Sequence, residues 1–320
     1  QQFMRKAVSA DCTHLVLEMT SEGAKQFRHR FIDLDAFVFL NLQREHIESH
    51  GSYENYRNAK LALARQLERS SKPNTVLVVN ADDAEADRFC AIAADRKERF
   101  AASRANIAET QGVSSFTYKG QSYTVPIDGA FNVVNAIAAL TYARAIGVRD
   151  EDIQNALARF AGVPGRVEHI DAGQPFDVVV DYAHTPDSLE ALYNTFHNTK
   201  QVCVLGSAGG GRDTWKRPEM GAIADAHCEK IILTNEDPYD EDPRQIVDMI
   251  REGITTAPTE IIMDRREAIR RALRQAQSFH GNEKVTVLIT GKGTDPFIMG
   301  PNGSKEPWDD ARVTREELEK

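Results

Sequence analysis

The chain has 320 residues, of which 41% are apolar, and a formal net charge of -9. At roughly 150 residues per domain, this length predicts about two domains with apolar cores. The acidic balance argues against a general binder of nucleic acid or other polyanions, and no apolar run approaches the roughly 18 residues of a membrane span. We therefore expect a cytoplasmic protein that binds neither nucleic acid nor membrane.

Short apolar runs alternate with stretches whose apolar residues recur every three or four positions. This alternation predicts an α/β fold with largely parallel sheets. A break at AGVPGR, after the predicted helix DIQNALARF, predicts a domain boundary near residue 163, giving domains 1–162 and 163–320. The predicted buried strands are 13–19, 35–42, 75–80, 176–183, 201–206, 230–235, 259–263 and 284–291.

A polar or glycine-rich segment follows nearly every predicted strand, as in DYAH, GSAGGGR, NEDPY and GKGTD. Open α/β sheets bind ligands at the carboxyl ends of their strands. Turns are polar in any protein, but six such loops together favour an active site at this edge.

The four cysteines, Cys12, Cys90, Cys203 and Cys228, are scattered along the chain without CxxC pairs. This distribution is typical of reduced thiols in the cytosol. The ligand spacing of a structural zinc site is also missing. The sequence therefore predicts four free thiols and no disulfide.

The stretch NLQREHIESHGSYENYRNAK, 41–60, has two histidines four residues apart, His46 and His50. Such a pair can bind zinc from one helix face, but the order HExxH and a third ligand are both missing. Alternatively, Glu18 at one strand end and His46 at the next suit a Mg2+ that binds nucleotide phosphates. Lys60, taken alone, is an ordinary solvated lysine.

Several segments resemble, in order, the motifs of the Mur ligases, among them GVPGRVE, DYAHTPDSLEAL, GRDTWKRPEMGAIAD and ITGKGTD. The resemblance covers nearly the whole chain and is strongest to the branch that adds the third residue of the peptidoglycan stem peptide. It implies a partial central ATP-binding domain followed by a Rossmann-like C-terminal domain. It also implies an ATP- and Mg2+-dependent ligase that joins a free amino acid to UDP-N-acetylmuramoyl-dipeptide. Folylpolyglutamate-type ligases have a central domain of the same kind, but their sequences match these segments less well.

The resemblance implies that ATP converts a carboxylate into an acyl phosphate, which an amine then attacks. It places Glu18, His46 and Lys60 at Mg2+. Lys60 would be carbamylated, which turns a cation into an oxygen ligand for the metal. The resemblance places His184 near the reacting groups and implies no role for His50.

The resemblance also implies contacts to the two large substrates. For ATP these are Asn132 and Asn135 at adenine, Asp181 at ribose, and Arg166 and Lys292 towards the phosphates. For the muramoyl peptide they are Thr20, Gln26 and Arg28. Without the resemblance, the side chains of the two asparagines could instead form hydrogen bonds with nearby backbone groups, and Arg28 could be a solvated cation.

The loop expected to receive the incoming amino acid departs from the diaminopimelate-adding branch. That branch has the sequence Asp-Asn-Pro-Arg, in which the arginine binds the distal carboxylate of diaminopimelate. This chain has Glu236-Asp237-Pro238-Tyr239 at the corresponding position. The carboxylates of Glu236 and Asp237 favour an incoming amino acid with an amine on its side chain. We therefore expect lysine or another diamino acid ahead of diaminopimelate. The resemblance adds Arg212 at the α-carboxylate, and Gly291 and Asp295 at the far end of the substrate.

The phosphate-binding loop of the family, GTxGKT, is missing. No GKT or GKS occurs in the 320 residues, and GSAGGGRD lacks the Lys-Ser/Thr ending. The uridine-nucleotide domain of the family is missing too. We therefore expect a fragment of a longer ligase, monomeric when full length and inactive alone. The alternatives are a product that has lost ATP hydrolysis, a non-catalytic binding module, or a subunit whose partner chain supplies the loop.

Overall fold

A computed structural model describes residues 2–45, 47–110, 112–211, 213–279 and 283–320. Within these ranges the strands form four sheets. The helices are α1 (Gln2–Ser9), α2 (Ser21–Lys25), α3 (Ile47–His50), α4 (Tyr53–Ala64), α5 (Ala86–Cys90), α6 (Ala130–Ala145), α7 (Asp150–Ala158), α8 (Pro186–Thr195), α9 (Lys216–His227), α10 (Pro243–Glu252), α11 (Arg265–Gln277) and α12 (Asp310–Leu318). The strands are β1 (Ala36–Phe39), β2 (Val76–Asn80), β3 (Arg96–Phe100), β4 (Asn106–Thr110), β5 (Val113–Tyr118), β6 (Gln121–Val125), β7 (Glu168–His169), β8 (Asp177–Val180), β9 (Lys200–Leu205), β10 (Lys230–Leu233), β11 (Thr259–Ile261), β12 (Val285–Ile289), β13 (Phe297–Met299) and β14 (Lys305–Pro307).

The first half of the chain contains a parallel sheet in the order β1-β2-β3 and an antiparallel sheet in the order β4-β5-β6. Every residue of β2 is buried. Val76 and Val78 pack with the apolar residues of α6, whereas Leu77 and Val79 pack with those of α4 and α5. Both faces of this strand are covered, which explains why its sequence reads as a continuous apolar run.

The predicted strand at 13–19 is wrong. These residues form no regular element, and Val16 is 95% exposed. β1 lies at the edge of its sheet and pairs with β2 alone among the described strands. An apolar run forms a strand only where a neighbour takes up its backbone hydrogen bonds, and residues 13–19 have no such neighbour in the described part of the chain.

The second half contains a six-stranded sheet in the order β11-β10-β9-β12-β8-β7, parallel except for β7. Helices α8, α9 and α10 cover one face, and α11 and α12 cover the other. The remaining seven predicted strands are therefore confirmed, although β1 and β11 are only partly buried. The α/β class with largely parallel sheets is confirmed as well. None of the helices in the described ranges is both long and apolar enough to cross a bilayer.

Two cysteines of the second half are joined, so the prediction of four free thiols is wrong. Cys203 in β9 forms a disulfide with Cys228, which directly follows α9, and their Cα atoms lie 6.1 Å apart. Cys12 and Cys90 are free. The two partners are 25 residues apart in sequence. Only the packing of α9 back onto the sheet brings them together, which a search for short cysteine spacings misses.

The segment between α7 and β7 contains the predicted domain boundary near residue 163, which stays a prediction. A hydrogen-bonded ion pair links the two sides of this segment: His169 Nε2 in β7 lies 2.6 Å from Asp128 Oδ2, just before α6. The hydrogen bond to Asp128 raises the pKa of His169 although burial opposes it. Asp128 Oδ1 also accepts a hydrogen bond from the Gly112 amide at 2.7 Å.

We expect this pair to make stability depend on pH. Because the folded pKa of His169 is raised, its contribution is fully present below about pH 6.5, the ordinary histidine pKa, and is lost as pH rises through the higher folded pKa. His169→Gln should therefore lower the free energy of unfolding more near neutral pH than in alkaline buffer, measured by urea denaturation. Two further carboxylates interact with the pair: Glu109 with Asp128, and Asp177 with both His169 and Asp128.

His197→Gln serves as the control, because His197 Nδ1 bonds its own helix end at Asn194 O, 2.7 Å away, and not Asp128. A difference between wild type and His169→Gln that stays constant across this pH range would contradict the prediction.

Candidate functional site

Residues from both halves of the chain meet around Lys60. Glu45 lies in the loop that follows β1, and its Oε1 is 3.4 Å from Nε2 of His184, in the loop that follows β8. Both Glu45 and Glu18 act electrostatically on the Lys60 ammonium. Ser52 caps the start of α4, the helix that carries Lys60, by accepting a hydrogen bond from the Asn55 amide at 3.1 Å. The structure thus brings three of the predicted residues, Glu18, Lys60 and His184, into one region.

Lys60 is half-buried, and its Nζ lies 6.0 Å from the centre of the Tyr56 ring. Burial lowers the pKa of Lys60, and the charges of Glu45 and Glu18 act in the opposite direction. A buried lysine has a larger neutral fraction than a solvated one. The neutral amine is the form that reacts with electrophiles, so the burial favours chemistry at this lysine.

His184 is oriented from both ring nitrogens. Nδ1 donates to the Tyr182 carbonyl oxygen at 2.8 Å, which leaves Nε2 facing Glu45. Although burial opposes the charged form, the contacts with Glu45 and Tyr182 O raise the pKa of His184. A capping box at Thr185 and Ser188 fixes the start of α8 directly after this histidine.

Two predicted site residues, His46 and Arg212, lie outside the described residues. Among the described histidines, cysteines and carboxylates, no group of three is arranged to hold a metal ion. His50 Nε2 lies 3.6 Å from Glu22 Oε1, and its ring packs 5.6 Å from the ring of Tyr56. His50 therefore contacts its own domain.

A second cluster lies at the carboxyl ends of β10 and β12. Lys292 is 1% exposed, and its Nζ donates to both carboxylate oxygens of Asp237, at 2.8 Å each. The Met299 amide donates to Asp237 Oδ1 at 2.8 Å. Asp237 and Lys292 therefore neutralise each other, whereas the neighbouring Glu236 is buried with its Oε2 unpartnered among the described residues. The predicted contact of Lys292 with nucleotide stays a prediction.

Asp181 connects two loops of the C-terminal half. Its Oδ2 accepts a hydrogen bond from the Val167 amide at 2.8 Å, and its Oδ1 accepts one from the Ala183 amide at 2.7 Å. Burial raises the pKa of Asp181, while these bonds and Arg166 oppose the shift. Arg166 is exposed and its guanidinium lies 4.1 Å over the Tyr182 ring. Asp181 thus has a structural function, whatever it also binds.

The two predicted adenine contacts lie on the first turns of α6. Asn132 Nδ2 donates to the Asp128 carbonyl oxygen at 2.7 Å, whereas Asn135 is exposed. The Asn132 side chain thus makes a hydrogen bond to a nearby backbone carbonyl, which was the alternative interpretation from the sequence. Both adenine contacts stay predictions.

Comparison with known proteins gives matches along nearly all of the chain. Residues 1–143 match the Mur ligase middle domain, and residues 165–293 match the Mur ligase glutamate ligase domain. The UDP-N-acetylmuramyl-tripeptide synthetase of a Roseiflexus species is 36% identical over 348 residues, covering 99% of this chain and 67% of that protein. This chain belongs to the Mur ligase family.

Two further comparisons agree with this assignment. The UDP-N-acetylmuramoyl-L-alanyl-D-glutamate–2,6-diaminopimelate ligase of Bacillus cereus is 34% identical over 334 residues, covering 99% of this chain and 66% of that protein. A solved structure of a ligase with the same name superposes with a TM-score of 0.57 at 30% identity, covering 95% of this chain and 64% of that one. The chain therefore spans just under two thirds of these two relatives.

Tyr239 occupies the position where the diaminopimelate pattern has arginine. It is half-buried with a φ of 52°, and its amide donates to the Met299 carbonyl oxygen at 3.0 Å. The Asp295 carboxylate lies 3.7 Å from the Lys292 ammonium. The described part of the loop after β10 thus carries the carboxylates Glu236 and Asp237, and Lys292, in the loop after β12, is already paired with Asp237.

The three residues predicted for the muramoyl peptide flank α2: Thr20 precedes it, and Gln26 and Arg28 follow it. The Thr20 hydroxyl caps this helix by accepting the Gly23 amide at 3.0 Å, Gln26 ends it, and Arg28 is exposed. α2 packs against α4, the helix of Lys60. Their substrate contacts stay predictions.

Two charged residues of the site were missed from sequence. Glu45 directly precedes the predicted ligand His46 and could have been flagged from that position. Lys216 begins the KRPEMG segment, is buried, and acts electrostatically on both His184 and Glu236. Lys216 lies in GRDTWKRPEMGAIAD, one of the segments that resemble the Mur ligases, but the sequence analysis assigned it no role.

Proposed function

We propose that this chain carries the catalytic and amino-acid-binding parts of an ATP-dependent ligase. The ligase adds the third amino acid to UDP-N-acetylmuramoyl-dipeptide through an acyl phosphate, in peptidoglycan synthesis. The observation that supports this most is the cluster of Glu18, Glu45, Lys60 and His184, which joins residues of both halves of the chain. The names of the Bacillus cereus and Roseiflexus relatives agree with a tripeptide-forming activity.

The described residues around Lys60 supply two carboxylates towards a divalent metal ion, Glu18 and Glu45, and contain no complete group of three metal-binding side chains. Carboxylate oxygens are the ligands that Mg2+ prefers, and two carboxylates act on Lys60. Glu18, His46 and a carbamylated Lys60 would hold the ion, which when bound supplies positive charge to anionic reactants. We propose that His184, whose ring nitrogens face Tyr182 O and Glu45, contributes positive charge beside an anionic group entering between the two halves.

The residues fit the adenosine half of ATP better than its triphosphate. Asn135 is exposed near the start of α6, and Asp181 can accept ribose hydroxyls, because each carboxylate oxygen has a second lone pair. The triphosphate lacks its usual loop, since no GKT or GKS occurs in the sequence.

The incoming amino acid is proposed to be a diamino acid, with lysine ahead of diaminopimelate. Tyr239 cannot form the bidentate contact of an arginine with a distal carboxylate. Asp237 is already paired with Lys292, so Glu236 is the carboxylate that supports this preference.

A chimera tests the proposal. The segment of the Bacillus cereus relative that lies before the part matching this chain is fused to the start of this chain. Phosphate release is then measured with UDP-N-acetylmuramoyl-dipeptide, ATP and each of lysine, ornithine and diaminopimelate in turn. We expect no turnover from the chain alone and turnover from the chimera, with lysine or ornithine preferred by about tenfold or more. Turnover by the chain alone, or an inactive folded chimera beside an active Bacillus cereus ligase, would contradict the proposal.

A further inference from the structure

A cavity in the first half of the chain is lined by three cationic side chains. It lies at the carboxyl end of β3, beside the turn that joins β5 to β6, and has a volume of about 700 Å³. The exposed side chains of Arg99, Arg104 and Lys119 surround a floor formed by the buried rings of Phe100 and Tyr118. Among the described residues, no carboxylate lines this cavity. Its size is that of a small-molecule site, and its lining carries only positive charge.

Two of these cations are left without a direct partner. The side chains of Arg104 and Lys119 form no hydrogen bond or ion pair with a described residue. The charge of Arg104 acts on Asp82, but that carboxylate accepts a hydrogen bond from the Ser103 amide at 3.0 Å. The Lys119 ammonium lies 5.6 Å from the centre of the Tyr118 ring. Both cations are therefore available to an anion.

Arg99 has one carboxylate partner. Its Nη2 lies 3.2 Å from Asp87 Oδ1, and the Asp87 side chain is 90% exposed. An ion pair exposed to this degree is weakened by water and salt. A guanidinium also carries five N–H donors, so this single contact leaves donors of Arg99 free.

The turn that carries Lys119 does not account for a lysine there. Lys119 and Gly120 join β5 to β6, with φ values of 50° and 77°. A two-residue turn with positive φ at both positions favours asparagine, aspartate or glycine over lysine. The lysine therefore occupies a backbone position that suits other residues better, at the edge of a cavity with two arginines.

The cavity is separate from the candidate site described above. The Gly112 amide, just before β5, binds Asp128 at the start of α6. Tyr118 ends β5, six residues later, which places it about 20 Å farther along the strand. Near the other end of α6, Arg144 Nη2 donates to Tyr123 Oη in β6 at 2.6 Å. The hairpin side of the cavity thus lies towards the end of α6, away from the predicted adenine contacts at its start.

Lys60 lies on the other face of the first sheet. Phe100 and Tyr118 pack in the apolar cluster of α6, whereas the helix of Lys60, α4, packs in the cluster on the opposite face of β2. The Lys60 cluster and the cavity are therefore served by different side chains and different layers of the domain.

We propose that this cavity binds a small ligand that carries two linked phosphate groups. Arginine matches phosphate oxygens with two parallel N–H donors, and lysine adds a compact positive charge. Three cations around one cavity suit a diphosphate better than a single phosphate, which cannot contact all three across this volume. A net charge of -9 for the whole chain makes this local excess of positive charge selective for a small anion that fits the cavity.

Inorganic pyrophosphate is the probe, with phosphate and succinate as comparisons. Binding to the 320-residue chain is measured by calorimetry in buffer without divalent cations. We expect pyrophosphate to bind about tenfold or more tightly than phosphate or succinate, since charged hydrogen bonds are lost with either. Arg104→Met and Lys119→Asn should each weaken pyrophosphate binding by about tenfold. Asparagine suits the turn at 119, so Lys119→Asn should keep the urea midpoint of unfolding while it loses affinity.

Two control variants locate the binding. Lys97→Met removes an exposed lysine of β3 that donates to the Cys90 carbonyl oxygen at 3.0 Å, and it should leave pyrophosphate affinity unchanged. Arg166→Met removes a predicted ATP-phosphate contact of the candidate site and should also leave it unchanged. The proposal is overturned if pyrophosphate does not bind, if Arg104→Met and Lys119→Asn bind it as wild type does, or if Arg166→Met abolishes binding. Since neither ATP nor acceptor is present, an inactive chimera leaves this result unaffected.

Discussion

Lys60→Ala is expected to abolish ligation by the chimera, a loss of about a thousandfold or more, as for removal of a group that stabilises developing charge. Lys60 is half-buried with a lowered pKa and lies near Glu18 and Glu45. Its neutral amine can add to carbon dioxide, releasing a proton and leaving a carbamate. Losing that anion removes an oxygen ligand from the expected metal site.

Two measurements identify the carbamate. Added bicarbonate or a short carboxylic acid should partly restore the Lys60→Ala activity, because either can occupy the vacated space with an anion. With 13C-labelled bicarbonate and Mg2+, the unaltered chain should show a carbamate carbon signal by NMR that Lys60→Ala lacks. Lys72→Ala, at an exposed lysine paired with Asp35, should keep both signal and activity. An unmodified and dispensable Lys60 would refute the prediction.

Asp310→Asn is expected to lower the free energy of unfolding by about 3–5 kcal/mol, the range found when one partner of a buried ion pair is removed. Arg265 and Asp310 are both fully buried and bonded at 2.7 and 2.9 Å. Arg265 also donates to the Thr290 carbonyl oxygen at 2.8 Å, and Trp308 Nε1 donates to Asp310 at 2.7 Å. The pair thus holds α11 and α12 to the end of β12, next to Gly291 and Lys292.

An exposed pair of the same chemistry provides the control. Asp248 and Arg244 lie 3.0 Å apart on one turn of α10, with more than half of each side chain exposed. Asp248→Asn should change the free energy of unfolding by less than about 1 kcal/mol. Urea denaturation measures both variants, and equal losses from the two substitutions would show that burial does not govern the contribution of the Arg265–Asp310 pair.

The apolar runs were sufficient to predict most of the framework. A strand covered on both faces has a nearly continuous apolar sequence, so β2, β8, β9, β10 and β12 could be predicted from their local sequence alone. β3, whose sequence is RKERF, was missed because it is mostly charged and lies at the sheet edge. The run at 13–19 failed for the opposite reason, because its composition suits a strand but no described strand lies beside it.

The sequence by itself determined the fold class, the family and the loops in which the candidate site lies. These follow from the spacing of apolar residues and from sequence motifs. Only the tertiary structure decided which charges remain unpaired. It paired Asp237 with Lys292 and left the Oε2 atom of Glu236 without a hydrogen-bond partner among the described residues. It also joined Cys203 to Cys228 and brought Glu45 against His184. Each of these contacts joins residues at least 25 positions apart, and such distant contacts depend on how the strands and helices pack.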